Sequence, residues 1–378
     1  MERKLATIRR ISSIEPIEGA DVIEIAVVDG WKVVTKKNEY KPGDLCIYCE
    51  IDSFLPVREE FEFLRKTSYK KMADRDGFRL KTIRLRGQIS QGLLLPLTIL
   101  EGEEEMKIGY SQQPEGDRLQ LGPYDDALII EEGADVTEIL DIVKYEAPIP
   151  AGLAGKVKGS FPSFLRKTDE ERVQNLAKEY EEFKYQSKHQ FYVTEKLDGS
   201  SATYYYNDGV FGVCSRNLEL SEPEEFVEGM IMCEDGIERP RQQNSYWKVA
   251  QELKLKEKLI SLGRNICLQG ELIGEGIQGN PYKIKGHTVK FFNVFDIDLQ
   301  KRVSLKEFLD TLEILELDFV PFLETPFLLP NDIQGMLSYA EGKSKLNSQT
   351  EREGVVVRSM DNKVSFKAIS NNFLLKEK

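Results

Sequence analysis

The first 98 residues consist of short runs rich in apolar and β-branched residues, and turn residues separate the runs. Such runs predict short β-strands. Asp29-Gly30 lies between two of them and is a strong hairpin signal. Five or so strands with little helix in about 100 residues predict a small barrel, for which the OB-fold is the natural candidate. The predicted strands cover residues 5–11, 22–28, 31–35, 45–51 and 79–85.

Residues 99–150 have a different character. The stretch 101–142 holds about thirteen acidic residues against Lys107 and Arg118, and Pro148 and Pro150 mark a break soon after it. We interpret this stretch as an irregular acidic connection. The predicted organisation is therefore an OB-like domain at 1–98, a connecting segment at 99–150 and a second domain at 151–378.

The second domain opens with a helix signal. Thr168 followed by Glu171 forms a capping box, in which the hydroxyl and the carboxylate satisfy exposed backbone amides. Apolar residues at helical spacing follow as far as Phe183, so this predicted helix packs one face on a core. The predicted fold class is α+β, with an antiparallel sheet. Its strands cover 191–194, 202–206, 210–215, 266–273, 289–297 and 354–358, and two helices cover 247–259 and 305–315.

Charge leaves the type of partner open. The formal net charge is −12, which argues against a nucleic-acid partner. Residues 58–86, however, contain about ten basic and five acidic side chains. A local basic surface of this kind suits phosphate binding, although it is also compatible with a solvated charged hairpin.

Cysteine and histidine usage excludes several kinds of chemistry. The five cysteines are odd in number and scattered, which indicates reduced thiols. Cys46 and Cys49 form a CxxC on a predicted strand, without the second pair or the histidines that a zinc site needs. Two histidines in 378 residues disfavour histidine catalysis. No apolar run reaches the ~20 residues of a membrane span, and no secretory signal is visible, so we expect an intracellular protein.

The candidate chemistry begins at the segment 194–201, Thr-Glu-Lys-Leu-Asp-Gly-Ser-Ser, where Lys196 ends a predicted strand before a glycine turn. Lys-x-Asp-Gly alone is a weak signal, but other segments accompany it in order. They are Ser-Arg-Asn at 215–217, Gly-Glu-Leu-Ile at 270–273, Val-Phe-Asp-Ile at 294–297, Glu-Gly-Val-Val-Val-Arg at 353–358 and Ser-Phe-Lys at 365–367.

This ordered set resembles motifs I, Ia, III, IIIa, IV and V of the covalent nucleotidyltransferases, which include ligases and mRNA capping enzymes. The resemblance covers most of the chain after residue 191. It implies that Lys196 attacks ATP to form a lysyl-AMP phosphoramidate, and that Lys367 and Arg216 act with it. It further implies that Glu195 reads the adenine edge, Phe295 stacks on the base, and Ser201 and Glu271 contact the ribose.

The chemistry also sets requirements for the lysine and for a metal. An amine attacks only when it is unprotonated, so a neighbouring cation, either Lys367 or a divalent metal, should lower the pKa of Lys196. Asp198, Glu271 and Glu353 are carboxylates that could hold hydrated Mg²⁺ or Mn²⁺. Many relatives carry two lysines in motif V; here Lys363 takes the second role or this branch lacks it.

The order of the domains favours one branch of the superfamily. A barrel that precedes the lysine motif resembles ATP-dependent RNA ligases with an N-terminal OB module, and residues 161–168 resemble the segment before motif I in those enzymes. Arg166 and Arg172 are candidates for orienting the β- and γ-phosphates. The alternatives are a DNA-nick ligase and a decayed OB-fold nucleic-acid-binding protein.

A literal GxGxxG occurs at 274–279, but Asn280-Pro281 follows where a dinucleotide site needs a helix. We therefore expect a mobile loop at this point.

Overall fold

The structure is a computed structural model, and it describes residues 4–72, 74–100, 108–113, 116–121, 128–146, 156–186, 191–223, 230–232, 238–240 and 244–376. The chain divides into two compact units, Met1–Pro148 and Ile149–Lys378. In the described part of the chain, no helix is long and apolar enough to cross a membrane.

The first unit is built almost entirely from β-strands. Its five-stranded sheet has the order β10-β4-β1-β2-β3, and a four-stranded sheet has the order β14-β5-β7-β6. A three-stranded sheet, β11-β12-β13, and the hairpin β8-β9 complete it. The elements are β1 (Ala6–Pro16), β2 (Ile23–Val28), β3 (Trp31–Lys36), β4 (Leu45–Cys49), β5 (Ser53–Pro56), α1 (Arg65–Ser68), β6 (Tyr69–Met72), β7 (Arg75–Arg79), β8 (Thr82–Leu85), β9 (Gln88–Gln91), β10 (Leu93–Leu95), β11 (Ile108–Gln113), β12 (Gly116–Leu121), β13 (Leu128–Ile130) and β14 (Val143–Lys144).

Local signals predicted much of this unit. The Asp29-Gly30 hairpin is confirmed: β2 and β3 pair antiparallel, and Asp29 adopts a positive φ of 50°. The single strand predicted at 79–85 is wrong, because Arg79 pairs with β5 whereas Thr82 begins a different hairpin. Cys46 and Cys49 are buried and free, and burial raises the pKa of Cys46 to about 12.

The segment 99–150 is not irregular as expected. Three of its strands form a sheet of their own, and β14 pairs with β5. Val136, Leu140 and Ile142 belong to the hydrophobic core of the first unit. The apolar positions within the acidic stretch therefore fold with the barrel. The division at residues 98 and 150 stays a prediction.

The second unit contains two larger sheets that are antiparallel apart from one short pairing, β16 with β28. A seven-stranded sheet has the order β15-β20-β19-β18-β23-β24-β25, and a five-stranded sheet has the order β16-β28-β27-β17-β26. The strands are β15 (Val157–Ser160), β16 (Glu171–Arg172), β17 (Phe191–Lys196), β18 (Ser200–Asn207), β19 (Val210–Cys214), β20 (Leu218–Leu220), β21 (Met230–Met232), β22 (Glu238–Pro240), β23 (Ile266–Gly274), β24 (His287–Asp296), β25 (Lys301–Arg302), β26 (Phe322–Phe327), β27 (Gly354–Ser359) and β28 (Ser365–Ile369).

Helices cover the apolar face of the seven-stranded sheet. Tyr204, Leu268 and Leu272 on that face pack with buried residues such as Trp247 and Phe308 from the helices. Since side chains alternate along a strand, the intervening residues of β18 and β23 project from the opposite face. The helices of this unit are α2 (Ala177–Gln186), α3 (Ser245–Glu252), α4 (Leu255–Ser261), α5 (Leu305–Ile314), α6 (Ile333–Ala340) and α7 (Asn371–Leu374).

Two helix predictions need correction. The helix predicted at 247–259 is two helices, because Lys254 adopts a left-handed conformation with φ of 52° between them. The capping box is also wrong: α2 begins only at Ala177, and the Thr168 hydroxyl bonds to Ser201 at 3.0 Å instead. The apolar face predicted up to Phe183 does pack on a core, in which Val173 and Tyr180 are buried.

Candidate active site

Lys196 is the last residue of β17, and its side chain lies among three carboxylates. Its Nζ donates to Glu353 Oε1 at 2.7 Å. Burial disfavours the charged form, but Glu353, Glu271 and Asp198 outweigh burial and hold the pKa of Lys196 above its ordinary value. The net direction is thus opposite to the lowering expected from Lys367 or a divalent metal, and the effect of a metal stays a prediction. The amine is held as an ammonium ion by the acidic side chains around it.

The same carboxylates affect one another. Burial raises the pKa of Glu271 to about 8; Lys196 opposes this, and Glu353 and Asp198 add to it. Among the described residues, no three histidine, cysteine or acidic side chains are close enough to bind one metal ion directly. Crowded carboxylates of this kind favour a nearby cation, which hydrating water molecules would bridge to them.

Glu195 precedes the lysine and is almost fully buried, with 1% of its surface exposed. Its Oε2 accepts a hydrogen bond from the Lys345 backbone N–H at 2.7 Å. Its Oε1 is buried and lacks a well-formed hydrogen bond among the described residues, although the Ser344 hydroxyl lies near the carboxyl. Burial raises the pKa of this carboxyl, and the Ser344 hydroxyl partly offsets the rise. A buried acceptor without a partner is costly, so the site is suited to a ligand that brings a donor.

Near Lys196, polar residues line the face of the seven-stranded sheet that is turned away from the helices. Ser201 lies directly opposite Glu271 on the neighbouring strand, so the two side chains are adjacent on the same face of the sheet. Gln269, two residues from Glu271, donates to the Arg166 backbone C=O at 2.7 Å and accepts from Asn293 at 2.6 Å. This face is therefore a prearranged polar surface that begins beside Lys196.

Phe295 does not lie with these residues. Its ring is 1% exposed and packs in a hydrophobic cluster with Tyr205 and Cys267. Phe295 pairs with Cys267, which is four residues or about 13 Å along the strand from Glu271. The stacking role expected for Phe295 is incompatible with this position, because neither face of the ring is open.

A different phenylalanine, Phe292, is placed where a base could stack. Gly270 pairs with Phe291 and Gln269 with Asn293, so Phe292 is the extra residue of a β-bulge. Its partly exposed ring packs against the cluster of Leu197, Ile273, Tyr282 and Val320, which includes the residue after Lys196. In the sequence, the adjacent residues Phe291 and Phe292 were the available signal for a stacking ring at this place. The β-bulge determines which of the two rings faces Lys196.

The expected phosphate-binding residues surround the site at different depths. Arg172 is buried and lies opposite Lys367 on the neighbouring strand. The Lys367 side chain projects from the same face of the five-stranded sheet as those of Val356 and Lys196. Arg216 is exposed, bonds Asp169 at 2.5 Å and acts electrostatically on Glu271.

Arg166 is exposed, whereas its backbone contacts the polar face through Gln269. Lys363 lies in the turn before β28 and pairs with Asp361 at 3.1 Å, four residues from Lys367. The structure therefore does not bring Lys363 together with Lys367.

A buried ionic network joins the two sheets behind the site. The Glu170 carboxylate accepts from Arg358 Nη2 at 2.8 Å and from Ser365 Oγ at 2.6 Å, and it lies 3.0 Å from Arg302 Nη1. Arg358, on β27, also donates to the Phe292 carbonyl at 2.7 Å. The network thus connects the strand that follows Glu353 to the bulge that carries Phe292.

The comparisons with known proteins agree with this geometry. An OB-fold domain family matches residues 5–97, and the RNA ligase family matches residues 189–369. A search of curated proteins found no match. A variant of Naegleria gruberi RNA ligase with AMP and Mn is 40% identical, with 98% of each chain covered and a TM-score of 0.80.

Two further structures of that enzyme match similarly. A variant with ATP and Mn is 40% identical over 98% of each chain, with a TM-score of 0.80. The enzyme with PPi is 40% identical over 99% of this chain and 98% of that one, with a TM-score of 0.79. With this identity along nearly the whole length, the chain belongs to the RNA ligase family, in the form that carries an N-terminal OB domain.

Proposed function

We propose that this protein is an ATP-dependent RNA ligase in which Lys196 is the nucleophile. The Nζ attacks the α-phosphate of ATP, and pyrophosphate leaves. The AMP group then passes to the 5′-phosphate of an RNA end, and attack by a 3′-OH closes the phosphodiester bond and releases AMP. The main observation behind this proposal is the position of the Lys196 amine. Its Nζ lies 2.7 Å from Glu353 Oε1 and beside Glu271 and Asp198.

The three carboxylates fit a hydrated divalent cation. The raised pKa of Glu271 indicates that a nearby cation would stabilise its charged form, and the absence of a direct three-ligand set among the described residues favours contact through water. When bound, Mg²⁺ or Mn²⁺ supplies positive charge that lowers the pKa of the amine and neutralises phosphate oxygens. Glu353 accepts the hydrogen bond of the resting ammonium ion, which must lose a proton before the amine can attack; this carboxylate is the nearest acceptor for that proton.

Base recognition is assigned to Glu195 and Phe292. The unpartnered Oε1 of Glu195 suits the exocyclic amino group of adenine, which is a donor, whereas guanine presents an oxygen at the same position. Phe292 replaces Phe295 as our assignment for the stacking residue, because of the two rings only that of Phe292 packs against the cluster that contains Leu197. Ser201 and Glu271 remain our assignment for the ribose, and Arg166, Arg172, Arg216 and Lys367 for the phosphates.

The proposed chemistry can be tested with ATP that is radiolabelled at the α- or the γ-phosphate. Denatured protein incubated with metal and ATP should retain radioactivity from the α-phosphate and none from the γ-phosphate. Lys196→Ala should retain none, whereas Lys306→Ala, at an exposed lysine of α5, should label like the wild type. Label that persists in Lys196→Ala would refute the assignment.

The first unit supplies a basic surface suited to the RNA strand. On the β8-β9 hairpin, Arg84 and Arg86 are exposed, and so are the apolar side chains Ile83 and Leu85. Lys70 and Lys71 on β6 are exposed as well. Arginine side chains bind phosphate well, and such contacts weaken as salt displaces them.

Charge reversal tests this surface. Arg84→Glu with Arg86→Glu should weaken binding of a nicked RNA duplex and flatten its salt dependence, because phosphate contacts are lost. Labelling of Lys196 should stay close to wild type. The matched control is Lys254→Glu with Lys256→Glu in the second unit. Equal salt slopes for wild type and the Arg84/Arg86 variant would show that the RNA lies elsewhere.

A further inference from the structure

Tyr282 lies in the loop 275–286 between β23 and β24, just after the segment 274–279 in which the sequence predicted a mobile loop. The Asn280 side chain closes a turn in this loop, since it accepts from the Ile284 N–H at 3.0 Å and donates to the Ile284 C=O at 2.8 Å. Tyr282, inside that turn, is 6% exposed. Side-chain hydrogen bonds of this kind fix the course of the loop around a buried tyrosine.

Two side chains of the loop form hydrogen bonds with the backbone just after Lys196. Tyr282 Oη accepts from the Asp198 N–H at 2.6 Å, and Gln278 Nε2 donates to the Gly199 C=O at 3.3 Å. A Cβ at Gly199 would lie 2.5 Å from the Leu272 carbonyl oxygen, so the turn rests directly on β23. The Lys-Leu-Asp-Gly turn is thus held by β23 on one side and by the loop on another.

The other contacts of the loop connect it to the base site. The Tyr282 ring packs with Leu197 in the cluster that also contacts Phe292. Asn347 donates to the Pro281 C=O at 2.8 Å, two residues beyond the Lys345 N–H that binds Glu195. The loop therefore lies between the lysine turn and the segment that holds Glu195.

We propose that Tyr282 is a positioning residue for lysine adenylylation. By holding the Asp198 N–H it fixes the backbone from which Lys196 and the Asp198 carboxylate both extend. A nucleophile displaced by about 1 Å loses on the order of 100-fold in rate, so the fixed turn matters more for attack than for binding. The proposal rests on the proposed function of Lys196.

The decisive variant is Tyr282→Phe, which keeps the ring in its cluster and removes only the hydroxyl oxygen. The Asp198 N–H then lacks its acceptor, and the turn is freed to move. Single-turnover labelling at saturating ATP should slow by roughly tenfold or more, while the ATP concentration for half-maximal rate stays within about twofold. Sealing of an RNA whose 5′ end is already adenylylated needs no attack by Lys196 and should fall less than the labelling does.

The control is Tyr180→Phe, which removes a hydroxyl that donates to the Pro330 C=O at 3.0 Å. It should label and seal like the wild type. Tyr282→Phe labelling as fast as wild type would overturn the proposal, as would equal loss in both reactions, which indicates general damage to the site. Wild-type protein that takes no label at all would instead overturn the proposed function.

Discussion

Replacing Glu170 by glutamine tests whether the buried ionic network holds the second unit together. Glutamine keeps the shape of the side chain but removes the negative charge that lies between Arg358 and Arg302. The side chains of Glu170 and Arg358 are 8% and 4% exposed, and that of Arg302 is 12% exposed. Solvent therefore has too little access to stabilise the positive charges of the two arginines once the carboxylate is neutral. Two guanidinium groups would remain buried without a counter-ion.

The expected cost follows from that burial. Breaking a buried ion pair by removing one partner costs about 3–5 kcal/mol of unfolding free energy. For a domain of this size each kcal/mol corresponds to roughly 2–4 °C in Tm. We therefore expect the second unit of Glu170→Gln to melt roughly 6–20 °C below wild type. Asp310→Asn, which breaks an exposed pair with Lys306, is the control and should not shift the transition.

The difference also depends on pH. Burial disfavours the charged form of Glu170, but Arg358 and Arg302 outweigh burial and hold its pKa below the ordinary value of 4.5. An acid with a lowered folded pKa stabilises the fold above the unfolded pKa, and that stabilisation is lost as the pH falls through the folded pKa. The gap in Tm between wild type and Glu170→Gln should be full at pH 7 and shrink below pH ~4.5. Calorimetry across this range measures both effects, and equal Tm values at pH 7 would refute the reasoning.

Three further predictions concern the site itself. Lys196 labelling should vanish in EDTA, and Glu353→Gln should need several-fold more Mg²⁺ or Mn²⁺ to reach its own maximal rate, because a charged acceptor for hydrated metal is lost. Phe292→Leu should raise the ATP concentration for half-maximal labelling by roughly fivefold or more, since a stacking face is worth about 1–3 kcal/mol, whereas Phe295→Leu should lower stability and leave that concentration unchanged. Glu195→Ala should lower the preference for ATP over GTP, measured as the ratio of labelling efficiencies.

Each of these three predictions would be refuted by a specific result. Unchanged metal titration in Glu353→Gln would place the ion elsewhere. A larger effect on ATP use from Phe295→Leu than from Phe292→Leu would restore Phe295 as the stacking residue. An unchanged ATP preference in Glu195→Ala would show that the unpartnered oxygen does not read the base.

The strands and the lysine motif could be predicted because their signals are local. The Asp29-Gly30 hairpin turns at Asp29, which adopts a positive φ, and β17 is a short run of β-forming residues before a glycine turn. The capping box at Thr168 and Glu171 failed for the opposite reason. Its central residue, Glu170, is bound by Arg358, 188 residues away, and no local pattern contains that partner.

The choice between Phe292 and Phe295 depends on the bulge and could not be made from the pattern alone. An unbroken strand would place residues three apart on opposite faces, but an extra residue changes which face each one takes. The bulge itself depends on the pairing of β24 with β23. In the same way, the raised pKa of Lys196 is due mainly to Glu353 and Glu271, which come from distant segments, and the nearby Asp198 contributes less.

The ion pair of Lys196 with Glu353 spans 157 residues of chain. During synthesis the nucleophile therefore leaves the ribosome long before its carboxylate partner and the β27 strand on which its own strand pairs. A chain that stops between these two residues carries the reactive lysine without the pocket that orients it. On the proposed function, we therefore expect self-labelling with AMP to require both Lys196 and Glu353, and fragments that end between them to leave ATP unconsumed in this reaction.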